Sequence, residues 1–197
     1  MPLRRTPVIK RYSALASAIA IAVLVGSRAA YAQAVPNRES AIEMRARFLR
    51  DLDSLQSRFI ALAQAFPAEK YAWRPAPGVR SVGEVFMHVA SEYYLYAPLS
   101  YGATPSPVVG RGQEAIQKFE SRSTKADAQK HLEEGFAYMK QAIEALDPAA
   151  ITGTQRIFGG DRTILETSLV MSGDLHEHLG QLIAYARMNG VKPPWSR

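Results

Sequence analysis

Residues Phe48–Phe66 read FLRDLDSLQSRFIALAQAF, and this stretch decides the fold class. Its large apolar residues recur every three or four positions, at Phe48, Leu52, Leu55, Phe59, Leu62 and Phe66. That spacing places all of them on one side of an α-helix. We therefore predict an amphipathic first helix from about Glu39 to Ala65 that ends before Pro67.

Two further helices are predicted downstream by capping residues and breakers. Ser81 followed by Glu84 has the form of a capping box, so a second helix should begin there and end near Pro98. A third amphipathic segment ends before Pro148. Both segments have apolar residues at helical spacing, which indicates that each buries one face.

A fourth helix is predicted to begin around Asp161 or Thr163 and to end at Asn189-Gly190. Thr163 and Glu166 form another capping-box pair at its start. No run of alternating apolar and polar residues predicts a sheet, apart from a short extended piece at Gln155–Phe158.

The connection between the second and third helices spans residues 98–123. It is rich in helix breakers, at Pro98, Gly102, Pro105, Pro107, Gly110 and Gly112. A segment of this length can cross a bundle from end to end. We therefore predict an all-α fold, a four-helix bundle with one long crossover between helices two and three.

Residues 1–32 have the three parts of an export signal: a basic start, an apolar run at Ala14–Val25, and the small-x-small site Ala30-Tyr31-Ala32. The apolar run is about a dozen residues, and a membrane-spanning helix needs about 20. We predict a signal peptide over residues 1–32, a domain over residues 33–197, and a periplasmic or secreted protein that leaves the membrane after cleavage. A retained membrane anchor is the alternative.

The composition excludes several classes of function. Of the 24 Lys and Arg residues, five lie in the first 32, so the remaining 19 nearly balance the 18 Asp and Glu residues. The domain shows no clustered basic face, and we expect no nucleic-acid partner. The chain has no cysteine, which excludes disulfides, thiol nucleophiles and Cys-ligated metals.

Three polar residues occupy apolar helix faces. His88 lies between Val85 and Val89, and Asp174 and His178 are one turn apart on the fourth helix. Two imidazoles and a carboxylate can bind a first-row divalent cation and leave positions open for water or substrate. The alternatives are hydrogen-bonded core histidines and an intrahelical Asp174–His178 ion pair.

Two glutamates flank His88 by four residues on either side, and each could ligate a metal or accept a hydrogen bond from the imidazole. We expect Glu84 to act as a helix cap. Glu92 is the candidate catalytic residue, as a proton acceptor.

The other two histidines fit the site less well. His176 is two residues from His178, about 200° around the helix, so both cannot face one interior site. His131 follows Lys130, and we expect it at the surface.

The chain resembles the DinB-like (damage-inducible, YfiT-like) superfamily of metalloenzymes. The resemblance rests on Trp73-Arg74-Pro75, Gly78-Val79-Arg80-Ser81-Val82, Glu84-Val85-Phe86-Met87-His88 and His176-Glu177-His178-Leu179-Gly180-Gln181-Leu182-Ile183-Ala184-Tyr185. It implies an up-down-down-up four-helix bundle, often a homodimer, with a divalent metal held by three histidines. Characterised branches resemble transferases and isomerases that use low-molecular-weight thiols.

Carried over by position, the family's histidines fall on His88, Asp174 and His178, so Asp174 stands where the family has its third histidine. Aspartate can bind nickel, zinc, manganese or iron, and the metal's identity stays open. Because the thiols used by relatives are mainly cytoplasmic, we expect a metal-activated water acting on a small substrate.

Two functions are compatible with these residues. The first is an exported, divalent-metal-dependent hydrolase or transferase with a small-molecule substrate. The second is a non-catalytic bundle with a degenerate metal site that binds a small ligand or a partner. In that case aromatic residues would line a recognition surface, at Tyr93, Tyr94, Tyr96, Tyr101 and Trp195.

Cleavage after Ala32 is directly measurable. We expect protein recovered from the periplasm to have the intact mass of a chain that begins at Gln33, because the small-x-small site follows the apolar run. Recovery of the uncleaved mass from the membrane fraction would favour the retained anchor.

Overall fold

The computed structural model describes residues 38–157 and 159–196. The signal peptide predicted over residues 1–32 lies outside the described residues, as does Phe158 of the predicted extended piece. Within the described ranges the fold is mainly helical. The elements are α1 (Arg38–Ala65), α2 (Val82–Tyr101), α3 (Gln113–Glu120), α4 (Lys125–Ala145), β1 (Thr154–Ile157), β2 (Gly160–Thr163) and α5 (Ile164–Met188).

Helix α1 confirms the prediction from its apolar spacing. It ends at Ala65, and Phe66 and Pro67 follow. Phe48 packs against the core from a partly buried position, and the other five residues of the pattern are buried. Phe59 and Phe136 of α4 are neighbours, with ring centroids 6.4 Å apart. The apolar face of α1 is therefore one wall of the core.

Helix α2 begins with the predicted capping box. The backbone N–H of Glu84 donates to the Ser81 hydroxyl at 3.2 Å, and the Glu84 carboxylate accepts from the Ser81 N–H at 2.7 Å. These bonds satisfy donors that the helix itself leaves unpaired. They also set the rotation of α2 at its first turn, six residues before His88.

The predicted end of this helix near Pro98 is wrong, because α2 continues to Tyr101. Tyr101 is buried, and its hydroxyl lies 2.8 Å from the Ser168 hydroxyl on α5. This burial favours the last turn despite the missing N–H of Pro98. The helix stops at Gly102, which has a left-handed φ of 72°.

Residues 102–124 connect α2 to α4 and contain α3. Phe119 on α3 is buried, so this connection packs against the core. At its far end the chain passes so close to α2 that a Cβ on Gly83 would lie 2.1 Å from the carbonyl oxygen of Ser123. Only glycine permits this approach.

A two-stranded antiparallel hairpin precedes α5. Thr154 pairs with Thr163 and Ile157 with Gly160. Thr163 ends β2 and caps α5, because the N–H of Glu166 donates to its hydroxyl and the Glu166 carboxylate accepts from its N–H. The predicted start of the fourth helix is therefore confirmed.

The remaining helix contacts join α1 and α2 to their neighbours. Tyr93 on α2 packs on Phe136 of α4 with ring centroids 4.1 Å apart. The Ser172 hydroxyl on α5 donates to the Asp51 carboxylate on α1 at 2.5 Å.

None of the helices within residues 38–157 and 159–196 is long and apolar enough to span a membrane.

The expectation of a surface position for His131 is wrong, because only 6% of the residue is exposed. Its ring packs against Phe119 with centroids 4.9 Å apart and lies edge-on to Tyr94. The adjacent Lys130 suggested a solvent-exposed position for His131, but α3 covers this face of α4. Neither the position of α3 nor its contact with His131 follows from helical spacing within α4.

Replacing Gly83 by alanine should destabilise the fold by about 1–3 kcal/mol, because the added Cβ meets the Ser123 backbone, which is not a movable side chain. Gly173→Ala is the matched control, since this helical glycine has open space around its Cβ position. The control should stabilise by about 0.5–1 kcal/mol. Urea denaturation measures both, and equal stability of Gly83→Ala and the unmodified protein would contradict the close approach.

Candidate metal centre

Helices α2 and α5 bring the predicted site residues together. His88 and Glu92 are one turn apart on α2, and Asp174 and His178 are one turn apart on α5. The His88 and His178 rings are nearly perpendicular, with centroids 4.9 Å apart. The structure therefore places the two predicted imidazole ligands side by side.

His88, Glu92 and His178 form a group that could hold a metal ion. Each offers one ligand atom, and these atoms all lie within 4.8 Å of one another. Asp174 is adjacent, with its Oδ1 3.8 Å from Nε2 of His178, and its carboxyl group raises the pKa of Glu92. The cluster thus contains two imidazoles and two carboxyl groups.

Glu92 shows that this donor set fits a cation. Its Oε2 atom is buried and has no hydrogen-bond partner among the described residues. Burial and the neighbouring Asp174 raise the pKa of Glu92 to about 9, so without a cation its carboxyl group holds a proton at neutral pH. A divalent ion in the cluster would compensate the carboxylate charges.

The outer nitrogen of each imidazole has an oxygen partner. Nδ1 of His88 lies 2.7 Å from Oε1 of Glu120, and Nδ1 of His178 lies 3.3 Å from Oε1 of Gln181. Because these oxygens accept, each neutral ring carries its hydrogen on Nδ1. Nε2 is then left with a free lone pair, as metal ligation requires.

The state of His178 also favours ligation. Burial lowers the pKa of its imidazole, which favours the neutral form. The amide nitrogen of Gln181 donates to the Tyr185 hydroxyl at 2.9 Å, and this fixes which end of the amide faces His178. Gln181 thereby holds the ring orientation.

Glu120 is the site residue that sequence reasoning missed. Burial opposes its ionisation, but hydrogen bonds from His88 and Ser91 and the nearby Arg80 lower its pKa. It is 32 positions from His88, at the end of α3, within the breaker-rich connection. Only recognition of a short helix after Gly112 would have drawn attention to it.

Two residues considered at the sequence level lie outside the cluster. Nε2 of His176 is 3.0 Å from the Asp51 carboxylate on α1, and its side chain is half exposed. Glu84 caps α2 and pairs with Arg74 at 3.0 Å. The expectations of a cap at Glu84 and an outward His176 agree with these positions.

Comparison with solved structures supports the fold. A DinB-like protein from Bacillus subtilis has a TM-score of 0.59 at 17% identity, covering 74% of this chain and 93% of that chain. A DinB-like protein from Bacillus cereus has a TM-score of 0.61 at 14% identity, covering 76% of this chain and 95% of that chain. No curated protein matches this chain.

The family is established by sequence. The family model described as the DinB superfamily matches residues 51–182, which include α2 with His88 and the part of α5 that carries Asp174 and His178. The mainly helical fold agrees with this match. The chain therefore belongs to the DinB superfamily.

Proposed function

We propose that this chain is an exported, divalent-metal-dependent enzyme, a hydrolase or transferase that acts on a small molecule. The observation that carries the proposal is the convergence of His88, Glu92 and His178, whose ligand atoms lie within 4.8 Å of one another beside Asp174. Export is supported by the sequence pattern of residues 1–32.

The two carboxyl groups are assigned different roles. His88, Asp174 and His178 are the ligands, and Glu92 is the proton acceptor. Burial and Asp174 raise the proton affinity of Glu92. A divalent ion beside it would favour the ionised carboxylate, which is the form that accepts a proton. The reverse assignment, with Glu92 as ligand, is tested below, because Glu92 also lies within ligand distance of both imidazoles.

A divalent nickel, zinc, manganese or iron ion, when bound, supplies Lewis-acid activation of water or of the substrate. The protein's own residues accept the proton and orient the imidazoles. Glu92 takes up a proton at its unpartnered Oε2 atom. Glu120 and Gln181 hold the two imidazoles by their Nδ1 atoms.

The proposal includes an up-down-down-up four-helix bundle made of α1, α2, α4 and α5. Contacts between α2 and α4 support a common direction for these two helices. Gly83 at the start of α2 lies beside Ser123, just before α4. Beyond the end of α2, the carbonyl of Thr104 accepts from the hydroxyl of Tyr138, late in α4.

Contacts at the ends of α1 support the opposite direction for that helix. The Lys125 amino group at the start of α4 donates to the carbonyl of Phe66, just after α1, at 2.7 Å. Arg45 near the start of α1 donates to the carbonyl of Leu146, just after α4. Helices α1 and α4 are thus joined in antiparallel fashion.

Helix α5 pairs with α2 in the opposite direction. His178 lies beside His88, whereas the earlier residue Ser168 lies beside the later residue Tyr101. This antiparallel pairing aligns one turn of each helix across the cluster. A homodimer remains a prediction from the family.

Metal binding is the first test of the proposal. We expect His88→Ala and His178→Ala each to lower divalent-ion affinity by more than about 100-fold, because each removes a ligand rather than an outer partner. His176→Ala is the control and should keep the affinity, because its imidazole pairs with Asp51. Calorimetric titration after chelator treatment measures the affinity, and elemental analysis measures the metal content.

The outcome for the unmodified protein separates the two functions. Stoichiometric metal bound to the unmodified protein supports the proposed enzymatic function. Absence of any divalent ion at micromolar concentrations would replace it with the non-catalytic ligand-binding or partner-binding function.

Variants of the two carboxylates test their roles. Asp174→His should keep or tighten metal binding, because it restores the family's three-histidine pattern, and Asp174→Ala should weaken it by about 10-fold or more. Glu92→Gln keeps the size of the side chain but cannot accept the proton, and it should retain stoichiometric metal. Loss of metal from Glu92→Gln with retention in Asp174→Ala would reverse the assignment.

A further inference from the structure

The helix face that carries the metal centre continues as an apolar stripe. His88, Glu92, Leu95 and Leu99 follow one another on α2 at intervals of four, three and four residues, so they share one face. From Glu92 to Leu99 the helix rises about 10 Å. A molecule whose reacting group lies at Glu92 would therefore extend along Leu95 and Leu99.

A cavity of about 350 Å³ lies along this stripe. His88, Glu92, Leu95 and Leu99 line it, and Ile116 of α3 also contributes to its wall. This volume is at the small end of the range for small-molecule sites. The cavity thus joins His88 and Glu92 of the metal centre to an apolar wall.

Leu99 is an unusual residue for this position. Its exposed fraction is 56%, whereas the nearby Ala97 and Ser100 are buried. Leu95 and Leu99 also line a second cavity of about 350 Å³ beneath the loop that contains Val109 and Arg111. The apolar surface therefore continues past the first cavity and has room for a longer chain.

The charges around the first cavity balance once a divalent cation is present. Glu92, Asp174 and Glu120 supply three negative charges when ionised, and Arg80 supplies one positive charge, 3.6 Å from Glu120. With a divalent ion the sum is zero. Arg80 is the only Lys or Arg side chain that lines the first cavity among the described residues, and Glu120 already pairs with it. An anionic substrate group would have to compete with Glu120 for Arg80.

We propose that this cavity takes a small uncharged molecule with a metal-binding head and an unbranched apolar arm that lies along Leu95, Leu99 and Ile116. The inference rests on the metal centre proposed above and names the class of its substrate. Its specificity comes from the apolar wall and from the pairing of Arg80 with Glu120 in the first cavity.

Alkyl hydroxamic acids test the proposal, because a constant head can bind the metal while the arm is lengthened. On the metal-loaded protein, calorimetric affinity should rise about fourfold per methylene from acetohydroxamic to hexanohydroxamic acid. Succinomonohydroxamic acid, which ends in a carboxylate, should bind more weakly than pentanohydroxamic acid of similar length. Equal affinity along the series, or tighter binding of the carboxylate, would overturn the proposal.

Exposed leucines provide matched variants. Leu99→Asn should reduce the gain in hydroxamic acid affinity to less than about twofold for each added methylene. Metal content and the affinity for acetohydroxamic acid should stay unchanged. Leu169→Asn, at a residue whose exposed fraction is 63%, should keep the full gain. An unchanged gain in Leu99→Asn would place the arm elsewhere and overturn the proposal.

The measurements also separate this inference from the one on which it depends. Unmodified protein that binds no metal overturns both. Metal-loaded protein that binds acetohydroxamic acid, but gains nothing from a longer arm, overturns only the substrate class.

Discussion

The carboxyl group of Glu92 lies in the interior between α2 and α5, and the arrangement of the site depends on this burial. An interior carboxylate is costly unless it is neutralised or given partners. Here the surrounding groups are the His88 and His178 imidazoles and the Asp174 carboxyl group, yet one Glu92 oxygen has no partner among the described residues. The cluster is therefore suited to a cation, and both helices must keep their rotation to maintain it.

The parts of the fold that follow from local chemistry could be predicted from the sequence. The apolar face of α1 and the capping boxes at Ser81 and Thr163 depend on residues within a few positions of one another. The pairing of His88 with His178 could also be anticipated, because each lies on an apolar face of its own helix. Tertiary packing decided the end of α2, where the burial of Tyr101 outweighs the effect of Pro98.

Long-range contacts could not be predicted, because no sequence period links their partners. Glu120 reaches His88 from a connection that contains many breakers, and His131 is covered by the same connection. Asp174 lies beside His178, as their four-residue spacing predicts, but its effect on the pKa of Glu92 depends on the pairing of two distant helices. Helical spacing thus indicates which face a residue occupies and leaves open what lies opposite.

Helix α3 supplies both a partner for His88, through Glu120, and a wall of the adjacent cavity, through Ile116. These two contributions are made by a single eight-residue element. A molecule that enters the cavity by displacing α3 would also separate Glu120 from the imidazole. For a divalent cation bound at the proposed site, thermodynamic linkage then requires that such a molecule and the cation weaken each other's binding by the same factor. A molecule that fits beneath an undisturbed α3 carries no such antagonism.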